Sequence, residues 1–144
     1  MTVESNLALV SRIWDEVWNQ GNLNTVNEVL STLYVGHLPA TNGVRGPEEF
    51  KQLITTYRTA FPDVHLTVED LFGQGDRVVA RWISRGTHHG AFAGIAPTGR
   101  RIEIMGISIF RLADGKVQEE WEGFDTLALM QQLGAAPAAA SGQR

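Results

Sequence analysis

Residues 61–68 read Phe-Pro-Asp-Val-His-Leu-Thr-Val, and the spacing of apolar residues changes within this stretch. Before Pro62 the apolar residues recur every three or four positions, which predicts helices. After it, Val64, Leu66 and Val68 alternate with polar residues, which predicts a strand. Proline ends the helical half because it lacks the backbone N–H that a helix needs. The chain therefore divides into a helical first part and a β-rich second part.

Helices are predicted at 5–20, 25–30 and 47–61, because each segment places its apolar residues on one side. A brief extended piece at 33–38 and a loop at 39–46 connect the second helix to the third. The third helix begins with proline followed by two glutamates, which suit the first turn of a helix.

Four strands are predicted at 64–69, 77–87, 101–112 and 117–124, separated by glycine-rich turns and loops. Asp125 then caps a short closing helix. Helices followed by an antiparallel meander are typical of an α+β fold. We therefore expect three N-terminal helices packed on one face of a curved four-stranded sheet, with a short C-terminal helix.

The 144 residues fit one domain, which we place at 1–134, followed by an Ala-rich tail at 135–144 that we expect to be disordered. The absence of cysteine excludes disulfides, thiol nucleophiles and thiolate metal sites. With a net charge of −4 and 12 scattered Lys and Arg residues, nucleic acid is not an expected partner. Since no stretch approaches the roughly 20 apolar residues of a membrane span, we expect a soluble, cytoplasmic protein.

The third predicted strand alternates between two faces, and its outer face is apolar in the middle. Met105, Ile107 and Ile109 lie on this face, flanked by charged residues at both ends. An apolar centre with a charged rim is typical of a protein interface. We therefore expect a homodimer through the outer face, with Trp121 as a further contact.

A curved sheet closed by helices can leave an unfilled cavity on its inner face. If Trp121 points outward, Glu122 points into this cavity, where burial would raise its pKa towards the range of a general base. The alternative is an acidic strand with solvated carboxylates, and the residues alone favour it, because Glu120 shares the same face. Gly106 and Ser108 mark a close backbone approach, the floor of a pocket, or both.

The four histidines show no metal-ligand spacing, so we expect no metal site. His88 shares a face with Trp82, and is either a structural histidine or a polar group inside the cavity. His37 precedes a loop that could cover the mouth of the cavity.

Five stretches carry a resemblance to a known family: RGTHHG at 85–90, GIAPTGRR at 94–101, FRLADGKV at 110–117, EWEGFD at 120–125 and QQLG at 131–134. Their order and spacing resemble the SnoaL-like polyketide cyclases, often labelled ester cyclases, of the nuclear transport factor 2-like superfamily. The resemblance implies a cone-shaped α+β barrel. It also implies intramolecular aldol condensation of a carbonyl-containing, apolar small molecule, without metal or organic cofactor.

In this resemblance the catalytic acid falls on Glu122, and His88 matches a histidine of the glycine-rich strand motif. The polar third-strand residues of the cyclases, a Gln and a His, fall on Gly106 and Ser108. The expected substrate pocket comprises His37, Tyr57, Phe61, Trp82, Ser108 and Phe124. The predicted function is proton abstraction next to a carbonyl group by Glu122, in a cyclase or isomerase. The alternative is a non-catalytic domain of the same fold that binds an apolar ligand.

Overall fold

The computed structural model describes residues 2–135, which form four α-helices and a six-stranded sheet. The helices are α1 at Val3–Arg12, continued by a π-helical segment at Ile13–Trp18, α2 at Asn24–Val29, α3 at Gly46–Ala60 and α4 at Thr126–Gln132. The strands are β1 at Leu30–His37, β2 at Val44–Arg45, β3 at His65–Gln74, β4 at Arg77–Thr87, β5 at Arg101–Ala113 and β6 at Lys116–Phe124.

The α+β class and the order of helices before the meander are confirmed, but the predicted strand count is wrong. The sheet runs β2-β1-β6-β5-β4-β3. The short extended piece predicted at 33–38 is the longer strand β1, which pairs parallel to β6, with Gly36 opposite Glu120. Within the predicted loop, β2 pairs with β1. The free edge of β6 offers unpaired backbone groups, and an extended segment brought beside it by folding satisfies them.

The first helix also differs from its prediction. It begins at Val3, where the Thr2 and Ser5 side chains cap each other's backbone N–H groups. From Ile13 to Trp18 it widens into a π-helical segment, a feature found frequently at functional sites. Trp14 of this segment packs edge-on against Phe110 of β5, with the ring centroids 5.6 Å apart. The helical layer is thereby held against the inner face of the sheet.

The two faces of the sheet are those expected from the alternation. On β5 every second residue from Ile102 to Phe110 is buried, whereas Met105, Ile107 and Ile109 are 50%, 45% and 36% exposed. Register shifts interrupt the β3–β4, β5–β6 and β1–β6 ladders. Since such irregularities bend strands and increase their twist, they help the sheet to curl around its buried face.

Between residues 2 and 135, no helix combines the length and apolar character needed to cross a membrane. Apart from Ala135, the predicted tail at 135–144 lies outside the described residues. The domain bounds of 1–134 stay a prediction.

Candidate active site

A cavity lies between the helices and the inner face of the sheet. Its walls are mostly apolar, and the largest side chains in them are aromatic: Trp14, Trp18, Tyr57, Phe61, Trp82, Phe110 and Phe124. Among the described residues, no Lys, Arg or His side chain lines this cavity. Nor does the described part of the chain group three or more His, Asp or Glu side chains in a way that could hold a metal ion.

Two carboxyl groups, those of Glu120 and Glu122, lie on the wall of this cavity. They are two residues apart on β6, so both side chains point to the same face. Glu120 is only 4% exposed, and its Oε1 accepts a hydrogen bond of 2.8 Å from Tyr34 Oη. Glu122 is partly buried, and its Oε1 lies 3.5 Å from the hydroxyl of Ser108, its neighbour across the β5–β6 ladder.

Burial disfavours the charged form of both carboxyl groups. It raises the pKa of Glu120 to about 7, although hydrogen bonds from Tyr34, from Glu122 and, least, from Ser108 favour its ionised form. Burial also raises the pKa of Glu122 well above its ordinary value, and the neighbouring charge of Glu120 raises it further. The two groups therefore titrate as a coupled pair, and the charge on one decides how easily the other ionises.

The hydrogen bond between Tyr34 and Glu120 depends on the glycine at position 36. A Cβ atom at Gly36 would lie 2.3 Å from Tyr34 Oη, a separation that atoms cannot adopt. Gly36 is also the register partner of Glu120 in the β1–β6 ladder. The missing side chain thus leaves the space through which the tyrosine hydroxyl reaches the carboxyl group.

A second glycine, Gly106, gives room to the indole ring of Trp82, which donates a hydrogen bond to Ser108 beside Glu122. Trp82 Nε1 donates a 2.9 Å hydrogen bond to Ser108 Oγ, and the indole crosses over Gly106 to reach it. Gly106 is therefore a point of close approach rather than the floor of the pocket, the other possibility left open by the sequence. Ser108 thereby links the indole N–H of Trp82 to the carboxyl group of Glu122.

The structure brings together most of the predicted site residues, since those that line the cavity are Tyr57, Phe61, Trp82, Ser108, Glu122 and Phe124. It does not bring His88 or His37 to the cavity. His88 is completely buried, and its Nδ1 accepts a 3.2 Å hydrogen bond from the backbone N–H of Thr98. Its backbone also bonds to Gly99 and Arg100, so His88 anchors the loop after β4. This position offers the predicted catalytic role no support.

His37 lies on the outer face of the sheet. Its ring stacks on Trp121 at a centroid distance of 5.6 Å, and its Nε2 is 2.7 Å from Glu119 Oε2. The loop after His37 does contribute Leu38 and Pro39 to the cavity lining, but His37 itself ends β1, where alternation turns Tyr34 and Gly36 inward and His37 outward.

Sequence reasoning missed two residues of the site, Glu120 and Tyr34. The signal for Glu120 is the strand face that it shares with Glu122, because this alternation sends both carboxyl groups to the same side of β6. No local pattern points to Tyr34, because its hydrogen-bond partner is 86 residues away along the chain.

A curled sheet closed by helices around an apolar cavity, with acidic residues in the wall, defines a protein of the nuclear transport factor 2-like class. Within that class, the family of SnoaL-like polyketide cyclases matches residues 8–133. The chain belongs to this family.

Individual relatives agree with this assignment. The aklanonic acid methyl ester cyclase DnrD of Streptomyces peucetius is 32% identical over 122 residues, which cover 83% of this chain and 84% of the relative. A protein from Jannaschia sp. CCS1, provisionally assigned as a SnoaL-like polyketide cyclase, has a crystal structure that matches with a TM-score of 0.85 at 28% identity, covering 93% of this chain and 94% of the other.

AclR from Streptomyces galilaeus, provisionally assigned as a hydroxylase, matches with a TM-score of 0.84 at 28% identity, covering 97% of this chain and 91% of the other. Proteins assigned to different reactions thus share this fold, so the fold alone does not identify the reaction, which depends on the residues of the site.

Proposed function

We propose that this protein is a small-molecule enzyme of the cyclase or isomerase type, in which Glu122 removes a proton from a carbon next to a carbonyl group. The observation that supports this most directly is the position of the Glu122 carboxyl group, in the wall of an apolar cavity that no described cationic side chain lines. A carboxylate with a raised pKa is a stronger base than an exposed one.

In the proposed reaction, ionised Glu122 takes the α-proton, and the electrons of the broken C–H bond form an enolate. In a cyclase the enolate carbon then attacks a second carbonyl of the same molecule, and the resulting alkoxide takes the proton held by Glu122, which returns Glu122 to its ionised form. The cavity walls contribute by excluding water and holding the two reacting carbons close together. The reaction needs no cofactor for its electron balance, and a neutral, apolar carbonyl compound suits these walls.

Negative charge develops on the carbonyl oxygen, and hydrogen-bond donors that face the cavity stabilise it. Tyr57 is one candidate donor, since it lines the cavity. Burial, assisted by the charge of Glu122, raises the pKa of Tyr57 to about 12, so its hydroxyl keeps its proton at neutral pH. The Ser108 hydroxyl is a second candidate.

The test follows α-proton exchange by NMR in deuterated buffer, with aklanonic acid methyl ester, the compound in the relative's name, as the first substrate. We expect exchange with the unmodified protein and a loss of at least about 100-fold in Glu122→Gln. The matched control is Glu119→Gln. The Glu119 carboxyl is on the same strand but points away from the cavity, towards His37. This variant should catalyse exchange at the rate of the unmodified protein.

Undiminished exchange in Glu122→Gln would contradict the role of this residue as the base. A second outcome would support the alternative of a binding domain. In that case the unmodified protein binds the compound, leaves it unchanged during long incubation, and keeps its affinity in Glu122→Gln.

The homodimer is also a proposal. Met105, Ile107 and Ile109 form an exposed apolar strip on the outer face of β5, with Arg101, Glu103 and Arg111 at its ends. Trp121 of β6 lies opposite Ile109 in the ladder and extends the strip. Burying this strip against a second copy removes apolar surface from water, which favours association.

A further inference from the structure

The function proposed above gives no role to Glu120, although its carboxyl is nearly as buried as any polar group of the cavity. Glu120 is 4% exposed, and no described Lys, Arg or His side chain forms a salt bridge with it. Placing a carboxyl in an apolar wall costs stability, because its charge loses hydration that nothing cationic replaces. The residue is nevertheless supplied with a dedicated donor, Tyr34, and with a glycine that gives this donor room.

We propose that Glu120 is a positioning residue for Glu122: its carboxylate, held by Tyr34, places a second negative charge beside Glu122 and makes Glu122 a stronger base than a lone carboxylate in the same cavity. This inference rests on the proposed function, because it takes Glu122 as the base.

The geometry requires the two charges to act on each other. Both side chains leave the same face of β6, separated by one residue, and enter the same cavity. Through-space repulsion between like charges is strong where the surroundings are apolar and no counter-ion screens them. The neighbouring Glu120 charge is, after burial, the next largest cause of the raised pKa of Glu122.

The surrounding elements add two titratable groups and no cation. Tyr34 comes from β1 and Tyr57 from α3, while β5 contributes the neutral hydroxyl of Ser108. The remaining cavity residues on the π-helical segment, β3, β4 and α4 are uncharged: Ile13, Trp14, Trp18, Leu66, Trp82, Ser84 and Leu129. Within the described chain, the ionisation of Glu122 is therefore governed mainly by burial and by Glu120.

Tyr34 decides which carboxyl ionises first. Its hydroxyl donates to Glu120, and a hydrogen bond to the charged form favours that form. Glu120 therefore takes the first negative charge as the pH rises, and Glu122 has to ionise against it. Without the hydroxyl, Glu120 would keep its proton to higher pH, and Glu122 would lose its proton beside a neutral neighbour.

The experiment measures α-proton exchange against pH for the unmodified protein, Glu120→Gln, Tyr34→Phe and the control Glu119→Gln. The exchange rate rises along an acidic limb as Glu122 ionises and then reaches a plateau. In Glu120→Gln we expect the midpoint of this acidic limb to fall by roughly one pH unit or more. The rate at the plateau should also fall, because Glu122 is then a weaker base. Tyr34→Phe should move the limb in the same direction by a smaller amount. Glu119→Gln should leave it in place.

A titration followed by ¹³C NMR of the glutamate side-chain carboxyls gives a readout that does not depend on turnover, with signals assigned from the Glu-to-Gln variants. The Glu122 signal should titrate at lower pH in Glu120→Gln than in the unmodified protein. Tyr34→Phe gives the same comparison without removing a carboxyl, should Glu120→Gln fail to fold.

The outcomes separate this inference from the proposed function. Loss of exchange in Glu122→Gln, with an acidic limb that stays within about 0.3 pH unit in Glu120→Gln, overturns the role of Glu120 and leaves Glu122 as the base. Exchange that survives in Glu122→Gln overturns the proposed function, and the positioning role falls with it. A Glu122 signal that titrates at the same pH in both proteins overturns the coupling itself.

Discussion

The indole ring of Trp82 lies directly against the backbone of Gly106 on the neighbouring strand. The two residues are register partners in the β4–β5 ladder, and a Cβ atom at Gly106 would lie 2.2 Å from Cζ2 of the indole. This close approach places the indole N–H on Ser108, which in turn contacts Glu122. The glycine is thus part of the support of the proposed base, two residues before Ser108 on the same strand.

Gly106→Ala tests this relationship. The added methyl group has to displace the Trp82 ring, and we expect a loss of about 1–3 kcal/mol in the free energy of unfolding, together with a changed tryptophan emission spectrum. Denaturant unfolding and fluorescence measure both effects. Gly123→Ala on β6 is the matched control, because a Cβ atom there meets nothing within 4 Å. Equal stability of the two variants would contradict the close approach.

Ser108→Ala should act on Glu122 in the direction opposite to Glu120→Gln. The Ser108 hydroxyl lowers the pKa of Glu122 against the larger effects of burial and Glu120, so its removal raises that pKa further. Ser108 also favours the ionised form of Glu120, but this is the smallest effect on that group, so we expect the acidic limb of the exchange profile to move to higher pH. The buried indole N–H also loses its acceptor, which costs about 1–3 kcal/mol.

The control for Ser108→Ala is Ser84→Ala, the other serine that lines the cavity. It should leave the acidic limb where it is. An acidic limb that moves equally in the two variants would show that the effect comes from general loosening of the cavity and not from the contact with Glu122.

The buried carboxyl pair also makes stability depend on pH. Burial raises the pKa of Glu120 from 4.5 to about 7 in the folded state. The stability linked to this group is therefore fully present below about pH 4.5 and is lost as the pH rises through 7. Glu120→Gln removes this loss. The Tm of the variant minus the Tm of the unmodified protein should therefore be larger at pH 8 than at pH 5, by roughly 4 °C or more.

Thermal unfolding across this pH range checks the prediction, with Glu119→Gln as the control. Hydrogen bonding to His37, supported by Arg111, lowers the pKa of Glu119, so its removal should produce no such rise. A Tm difference for Glu120→Gln that stays constant from pH 5 to pH 8 would show that Glu120 does not titrate in this window.

Ile107→Asp tests the dimer. A charge in the centre of the outer apolar strip would be buried without a partner on association, so the variant should sediment as a monomer where the unmodified protein sediments as a dimer. Leu127→Asp is the control, since Leu127 is 58% exposed on α4 and lies outside the strip. A monomeric unmodified protein, or a dimer that survives Ile107→Asp, would contradict the proposed interface.

Several features follow from short-range sequence patterns alone. The change of spacing at Pro62 predicts where α3 gives way to β3, and Asp125 caps α4 as expected, accepting a hydrogen bond from the backbone N–H of Ala128. Alternation along β5 predicts which side chains are buried, and alternation along β6 predicts that Glu122 lies on the face opposite Trp121. These predictions succeed because side-chain direction along a strand or helix is a local property of the backbone.

Only the tertiary structure decides the pairing of β1 with β6, the contact of Tyr34 with Glu120 and the position of His88 behind the cavity. Each depends on which distant segments meet, and that is settled by packing and by the pairing of exposed strand edges rather than by the neighbours of a residue in the chain. Alternation alone therefore determined that Glu120 and Glu122 share one face of β6, and only the resemblance to the cyclases assigned Glu122 to the cavity. The fold decided that two carboxyl groups enter it together, because it brings the hydroxyl of Tyr34 to the buried carboxyl of Glu120.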